Sequence, residues 1–226
     1  MPLLGTGAVA MWWDMAPARR TEFEDWHSHE HLPERVGVPG LRRGSRWFDA
    51  MGGDGFFVLY EHESYETMTG SAYFARLNDP TPWSVKMMPH HRNMVRSQCR
   101  VAASCGGVIA GCMTTLRISP APGQADALDD HLRLLLGRVP QHVGATGGHL
   151  LKTQASPAKP TKEQMIRGGA DMAADWIVLL TGYALEALQE LASSVFGAGP
   201  LVEAGALPTR TVSFHGLSHA MTPSDL

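Results

Sequence analysis

Hydrophobic and polar positions change period several times along this chain, and the changes mark out its elements. Gly7 to Met15 (GAVAMWWDM) is apolar on both faces of an alternating reading, which predicts a strand covered on each side. Pro17 stops it. Thr21 followed by Glu24 forms a capping box, so a helix is expected from near Glu22; it runs through a histidine cluster, is disturbed at Pro33 and ends before Pro39-Gly40. Leu41 to Ala50 alternates as a strand, with Arg43, Ser45, Trp47 and Asp49 on one face and Arg42, Gly44, Arg46 and Phe48 on the other. Met51 to Gly55 (MGGDG) is a turn and Phe56 to Glu63 the returning strand of a hairpin. A helix from about Tyr65 to Leu77, a loop rich in proline around Asp79 to Pro89 and a strand from about Met94 to Val101 follow. Strand, helix, strand, strand, helix, strand is the order of a ferredoxin-like unit.

The second half repeats that order. Cys112 to Ile118 reads as a strand, Gln124 to about Val139 as a helix, and Gly147 to Gln154 and Trp176 to Tyr183 as strands; Ala184 to about Ala192 is a helix and Thr209 to Gly216 a last strand. A shift of 104 residues sets Gly40 on Gly144, Gly44 on Gly148, His27 on His131 and Leu32 on Leu136. A shift of 120 sets Phe56-Phe-Val-Leu on Trp176-Ile-Val-Leu, the difference lying in an insertion at 156–173. The expected domains are therefore 1–104, the working half, and 105–226, a structural half. A ferredoxin-like sheet has helices on one face only, so its other face needs cover. Two α+β repeats packed sheet to sheet into one intramolecular barrel supply it, where two separate domains joined near Ser104 to Gly107 leave both sheets bare.

Composition narrows the class. With 226 residues, 44% of them hydrophobic, the chain can build a substantial core. A net charge of −3 with scattered basic residues gives no nucleic-acid footprint. The longest apolar run, Ala8 to Trp13, is far short of the roughly 20 residues that span a bilayer. The N-terminus lacks a basic start, so no signal peptide is expected, and three cysteines without a CxxC pairing fit a reduced, cytoplasmic protein.

The densest chemistry lies in Glu24 to Trp47. On a helix His27, Glu30, His31 and Glu34 fall within roughly 100° of one another while His29 points away, with Phe23 and Trp26 marking the stripe as facing protein. An imidazole titrates near neutrality and a neighbouring carboxylate can fix its tautomer, so His31 and His27 are the candidate base or acid and Glu30 the orienting group. Arg35, Arg43 and Arg46 offer forked donors for a carboxylate or enolate. Trp13, Trp47, Phe56 and Tyr60 are expected to line a pocket inside the barrel, with His90 and His91 at its mouth. His27 to His31 also matches HxxEH, a zinc-binding spacing, but Pro33 follows at once and no distant third ligand is evident. GxGxxG after a strand, GxxxxGK[ST] and GxSxG are all missing, so nucleotide, dinucleotide and serine-hydrolase readings have no support.

WHSHEHLPERVGVPGLRRGSRW resembles the motif region of the EthD-like branch of the dimeric α/β barrel superfamily, through Trp26, Glu30, His31, Leu32, Pro33, Pro39, Gly40, Arg43 and Trp47. The resemblance implies a barrel of this kind acting on small aromatic or carbonyl-bearing molecules as an isomerase, dehydratase or lyase. It implies no cofactor, with a divalent metal or haem as the alternative, and a monooxygenase or a non-catalytic ligand-binding barrel as the other readings. Its expected partner is a small-molecule substrate, with pairing of two fused chains into a homodimer and neither nucleic acid nor membrane. Leu134 and Leu135 stand where Glu30 and His31 would repeat, which points to one working site, in the first half.

Overall fold

A computed structural model describes residues 2–154, 160–168 and 171–226, so part of the 156–173 insertion lies outside the described residues. Two compact units emerge. The first comprises Leu4–Arg100, Gln154–Ala173 and Ser218–Leu226; the second comprises Met1–Leu3, Val101–Thr153 and Ala174–Leu217.

In the first unit, strand β1 (Gly7–Asp14) pairs antiparallel with both β3 (Gly55–His62) and β4 (Arg92–Gly106), and β2 (Leu41–Asp49) pairs with β3 across a bulge at Leu41/Arg43. The order β4-β1-β3-β2 is that of a ferredoxin-like sheet. In the second unit β5 (Cys112–Ile118), β6 (Ala145–Thr153), β7 (Trp176–Gly182) and β8 (Thr211–Met221) stand in the corresponding order β8-β5-β7-β6. The full hydrogen-bonded order, β1-β3-β2-β8-β5-β7-β6-β4, closes on itself as an eight-stranded barrel. The fold is thus the α+β barrel of two ferredoxin-like repeats expected above. Among the described residues no helix is long and apolar enough to cross a membrane.

Several boundaries differ from the sequence reading for physical reasons. Helix α1 (Pro17–Trp26) starts five residues before Glu22, because Pro17 sits at its first turn, where a missing N–H costs nothing. Thr21 and Glu24 lie inside it. The expected helix 65–77 is two short helices, α3 (Tyr65–Thr69) and α4 (Ser71–Leu77), parted by the extended backbone of Gly70. The loop rich in proline contains α5 (Pro82–Met87), whose N-cap Thr81 accepts from Ser84 N–H at 3.0 Å. The insertion contributes a further helix, Lys162–Arg167, opened by a Thr161/Gln164 capping box.

One core of the first unit lies between sheet and helices. Val9 and Trp13 of β1, with Phe56, Val58 and Tyr60 of β3, pack against Phe23, Trp26 and Leu32 from the helical side. Gly44 on β2 makes that contact fit: a Cβ there would stand 2.4 Å from Leu32 Cδ1 and 3.0 Å from the Tyr60 ring.

Candidate active site

The helix that begins as α1 widens into a π turn at His27–His31 before resuming as α2 (Leu32–Val36). The turn closes through the Leu32 N–H on the His27 carbonyl, a span of five residues. Side chains take up carbonyls that the wider turn releases: Ser28 Oγ donates to Glu24 O at 2.6 Å, and Arg46 Nη1 donates to the same oxygen at 2.9 Å. His29 Nδ1 lies 3.1 Å from Asp25 O. Pro33 explains why the widening occurs here, since its ring cannot accept an ordinary α turn beneath it without a clash and a lost hydrogen bond. Turns of this kind concentrate at functional sites.

His27 and His31 leave the turn on its buried side, their ring centroids 5.5 Å apart, and Arg35 follows one turn later, also buried. They face a cavity of about 40 Å³ whose wall also includes Trp13, Trp26, Tyr60, Tyr73, His91, Arg96, Glu163 and Arg167. All of these belong to the first unit. Trp26 stacks at a tilt on His31 with centroids 4.4 Å apart, and His91 lies 4.9 Å from Trp13. Arg35 is held by Glu163 in a buried ion pair; Arg167 pairs with Asp171 at 2.9 Å.

The polar atoms around this space are only partly satisfied. Both ring nitrogens of His27, Nδ1 of His31, Nη1 of Arg35, the Tyr60 hydroxyl and Trp13 Nε1 are buried without a hydrogen-bond partner among the described residues. Such groups are costly, and each calls for an explanation in strain, a catalytic role, or a water, ion or ligand. Burial holds the His27 and His31 imidazoles well below 6.5, reinforced by the charge of Arg46 at His27 and of Arg35 at His31. Burial, with the nearby charge of Arg167, pushes His91 down to about 3. All three rings are neutral at pH 7 and so are able to accept a proton. His91 Nδ1 sits 3.1 Å from the Met88 carbonyl, which makes it the N–H and leaves Nε2 as the acceptor. Burial raises the Tyr60 phenol, so it stays a donor.

The candidates named from the sequence divide here. His27, His31, Arg35, Trp13 and Tyr60 come together on the cavity, though the cavity lies between sheet and helices and not inside the barrel as expected. Glu30 does not meet an imidazole: it accepts from Trp26 Nε1 at 3.1 Å and from the Thr81 hydroxyl, tying the π turn to α5. Arg43 makes a forked, buried pair with Glu61, at 2.6 and 2.8 Å. Arg46 reaches Ser218 Oγ and the Glu24 carbonyl, and Trp47 donates to Ser45 Oγ at 2.9 Å. These three and His90 are not part of the cavity wall, where His91 stands instead of its neighbour. In the repeat, the helix Ala125–Leu136 buries Leu128, Leu132 and Leu136 and leaves His131 half-buried.

Tyr73, Arg96, Glu163 and Arg167 escaped the sequence reading. The last two lie four apart on the inserted helix, and the Thr161-x-x-Gln164 spacing was the one local signal that a helix starts there. Among the described residues no three His, Cys, Asp or Glu side chains stand together as a metal site, so HxxEH does not assemble one.

No family model and no curated protein matches the sequence. Solved structures do match in fold. A provisionally assigned monooxygenase from Fusobacterium nucleatum subsp. nucleatum is 8% identical with a TM-score of 0.63, covering 96% of this chain and 95% of its own. A provisionally assigned monooxygenase from Lactobacillus acidophilus is 9% identical with a TM-score of 0.60, over 96% and 97%. An anthrone oxidase-like protein is 12% identical with a TM-score of 0.62, over 96% and 93%. At these identities the likeness is one of architecture alone.

Proposed function

We propose that the first unit is the working half of a small-molecule enzyme of the EthD-like kind, in which His31, with His27, takes a proton from a carbonyl- or phenol-bearing metabolite. The negative charge that forms is met by the guanidinium groups of Arg35, Arg96 and Arg167 on the cavity wall. The single observation that carries this reading is the convergence of unpartnered imidazole nitrogens and unpartnered donors on one buried cavity. Neutral imidazoles beside fixed donors are what proton abstraction next to a developing negative charge requires. The cavity is small, so it is the reacting end of the substrate that enters it. Isomerisation, elimination and lyase reactions all begin with this step. Cys99, Cys105 and Cys112, which form no disulfide with one another, suit a reducing, cytoplasmic setting.

A second reading shares the first step. Three structural neighbours carry monooxygenase or anthrone oxidase-like names, and a deprotonated electron-rich ring is also the species that molecular oxygen attacks. The two readings part in one assay: a panel of carbonyl and phenolic compounds is incubated in D2O, with NMR following loss of acidic protons and an electrode following oxygen. Solvent exchange without oxygen uptake supports the isomerase or lyase class, and uptake supports the oxygenase. His31→Ala should slow the reaction at least about a hundredfold. Unchanged exchange in the His27/His31 double variant sinks both readings.

A further inference from the structure

The charge on the cavity wall says what kind of ligand the space is built for. Three guanidinium groups, those of Arg35, Arg96 and Arg167, meet one carboxylate, that of Glu163. Glu163 is committed to Arg35, and Arg167 is neutralised by Asp171. Arg96 reaches the Tyr73 hydroxyl at 3.3 Å, a neutral partner. One positive charge is therefore left over on a wall where three donors, Arg35 Nη1, Trp13 Nε1 and the Tyr60 hydroxyl, are buried with no acceptor among the described residues. A buried donor without an acceptor is expensive, and three of them on a cationic wall are best relieved together by oxygen atoms bearing negative charge.

We infer that the cavity binds a small planar oxyanion of the carboxylate type, which accepts from Arg35, Trp13 and Tyr60, and that Glu163 is the positioning residue that fixes the Arg35 guanidinium for it. The ligand thus carries its negative charge on arrival. Size agrees: about 40 Å³ is space for about three water-sized positions, the scale of a formate or acetate group. Glu163 occupies one edge of the guanidinium from the inserted helix and leaves Nη1 for the ligand. The insertion therefore completes the anion site, and its role is specificity.

The inference rests on the reading of this cavity as the working site, but binding is measured without turnover, so the two fail separately. Trp13 and Trp26 line the space and report its occupancy through their fluorescence. The full-length protein is titrated at pH 7.5 and constant ionic strength with sodium acetate, with the neutral isostere acetamide and with methylammonium chloride. Acetate should give a saturable change, with acetamide and methylammonium at least about tenfold weaker. The paired replacement R35M/E163M removes both charges while keeping bulk, and should abolish saturation with the circular dichroism spectrum unchanged. E163Q should tighten acetate several-fold, since it removes a negative charge beside the site; a purely structural glutamate predicts no change or a loss. Equal affinity for acetate and acetamide, acetate binding by R35M/E163M at wild-type strength, weakening in E163Q, or no saturable response in the wild type each overturns the inference. Acetate binding without any proton exchange on the carbonyl panel leaves it standing and removes the proposed reaction instead.

Discussion

Lowering the pH from 7.5 to 5 asks this fold to keep uncharged His91 and four further imidazoles that the unfolded chain would protonate. His27, His31, His62 and His215 are all buried. Burial is the leading cause that holds each below the ordinary value of 6.5, with His62 pushed down to about 4 and His215 to about 3. A base with a depressed value in the folded state binds fewer protons there than in the unfolded chain. Its stabilising effect is therefore fully present above about pH 6.5 and drains away as the pH falls toward the folded values. At about 1.4 kcal/mol per pH unit, each ring costs about 2 kcal/mol at pH 5. The four without His91 already cost on the order of 8 kcal/mol, comparable with the entire stability of an ordinary domain, about 5–15 kcal/mol. Burial raises Glu34 and Glu61, which titrate in the opposite sense, but from an ordinary value of 4.5 and so mainly below this range. Urea unfolding followed by tryptophan fluorescence should show stability falling ever more steeply below pH 6.5, reaching at least about 5 kcal/mol per pH unit. His27→Phe should lower that limiting slope by about 1.4 kcal/mol per pH unit, one proton's worth. A stability profile flat from pH 7 to 5 would refute the picture of imidazoles held neutral by burial.

Other expectations follow from single contacts. Glu163→Ala leaves Arg35 buried and uncompensated, which should cost about 3–5 kcal/mol in urea unfolding, while R35M/E163M should recover most of that loss. Gly44→Ala drives a methyl group into Leu32 and the Tyr60 ring, with an expected cost of about 1–3 kcal/mol, read as a Tm lower by roughly 2–4 °C per kcal/mol. Glu30→Ala loses two hydrogen bonds that fasten the π turn to α5 and should cost about 1–2 kcal/mol, yet leave any His31-dependent exchange within about twofold. A hundredfold drop in that variant would place Glu30 in the chemistry.

How far the site could be read in advance depended on how local its determinants are. The spacing of His27 and His31 put both rings on one buried side, and Phe23 and Trp26 marked that side correctly. The same wheel projected Glu30 beside them, because it assumed an unbroken α-helix, and the π turn that Pro33 provokes changes the phase of the residues within it. Strand β2 was harder, since Arg43, Ser45, Arg46 and Trp47 are buried and both faces look alike in sequence. Nothing in the pattern says which face meets the helices, so Trp47 is expected beside Tyr60, and Arg43 beside Arg35 and Arg46, although Arg43 and Trp47 lie on the other side of the sheet from Tyr60. The repeated element order was legible because each half carries its own alternation, and the matching strand orders of the two units agree with it. The Arg35 to Glu163 pair spans 128 positions, and no local rule reaches that far.

That separation also constrains when the cavity can exist during synthesis. A ribosome releases His27, His31 and Arg35 first, but the carboxylate that steadies Arg35 emerges 128 positions later, and the first unit also draws on Ser218–Leu226. Until then the guanidinium has no counter-charge to be buried against, so the nascent amino-terminal portion has reason to keep that helix open to water. The wall around the histidines is completed by Glu163 and Arg167, which ties competence of this centre to the making of the inserted helix.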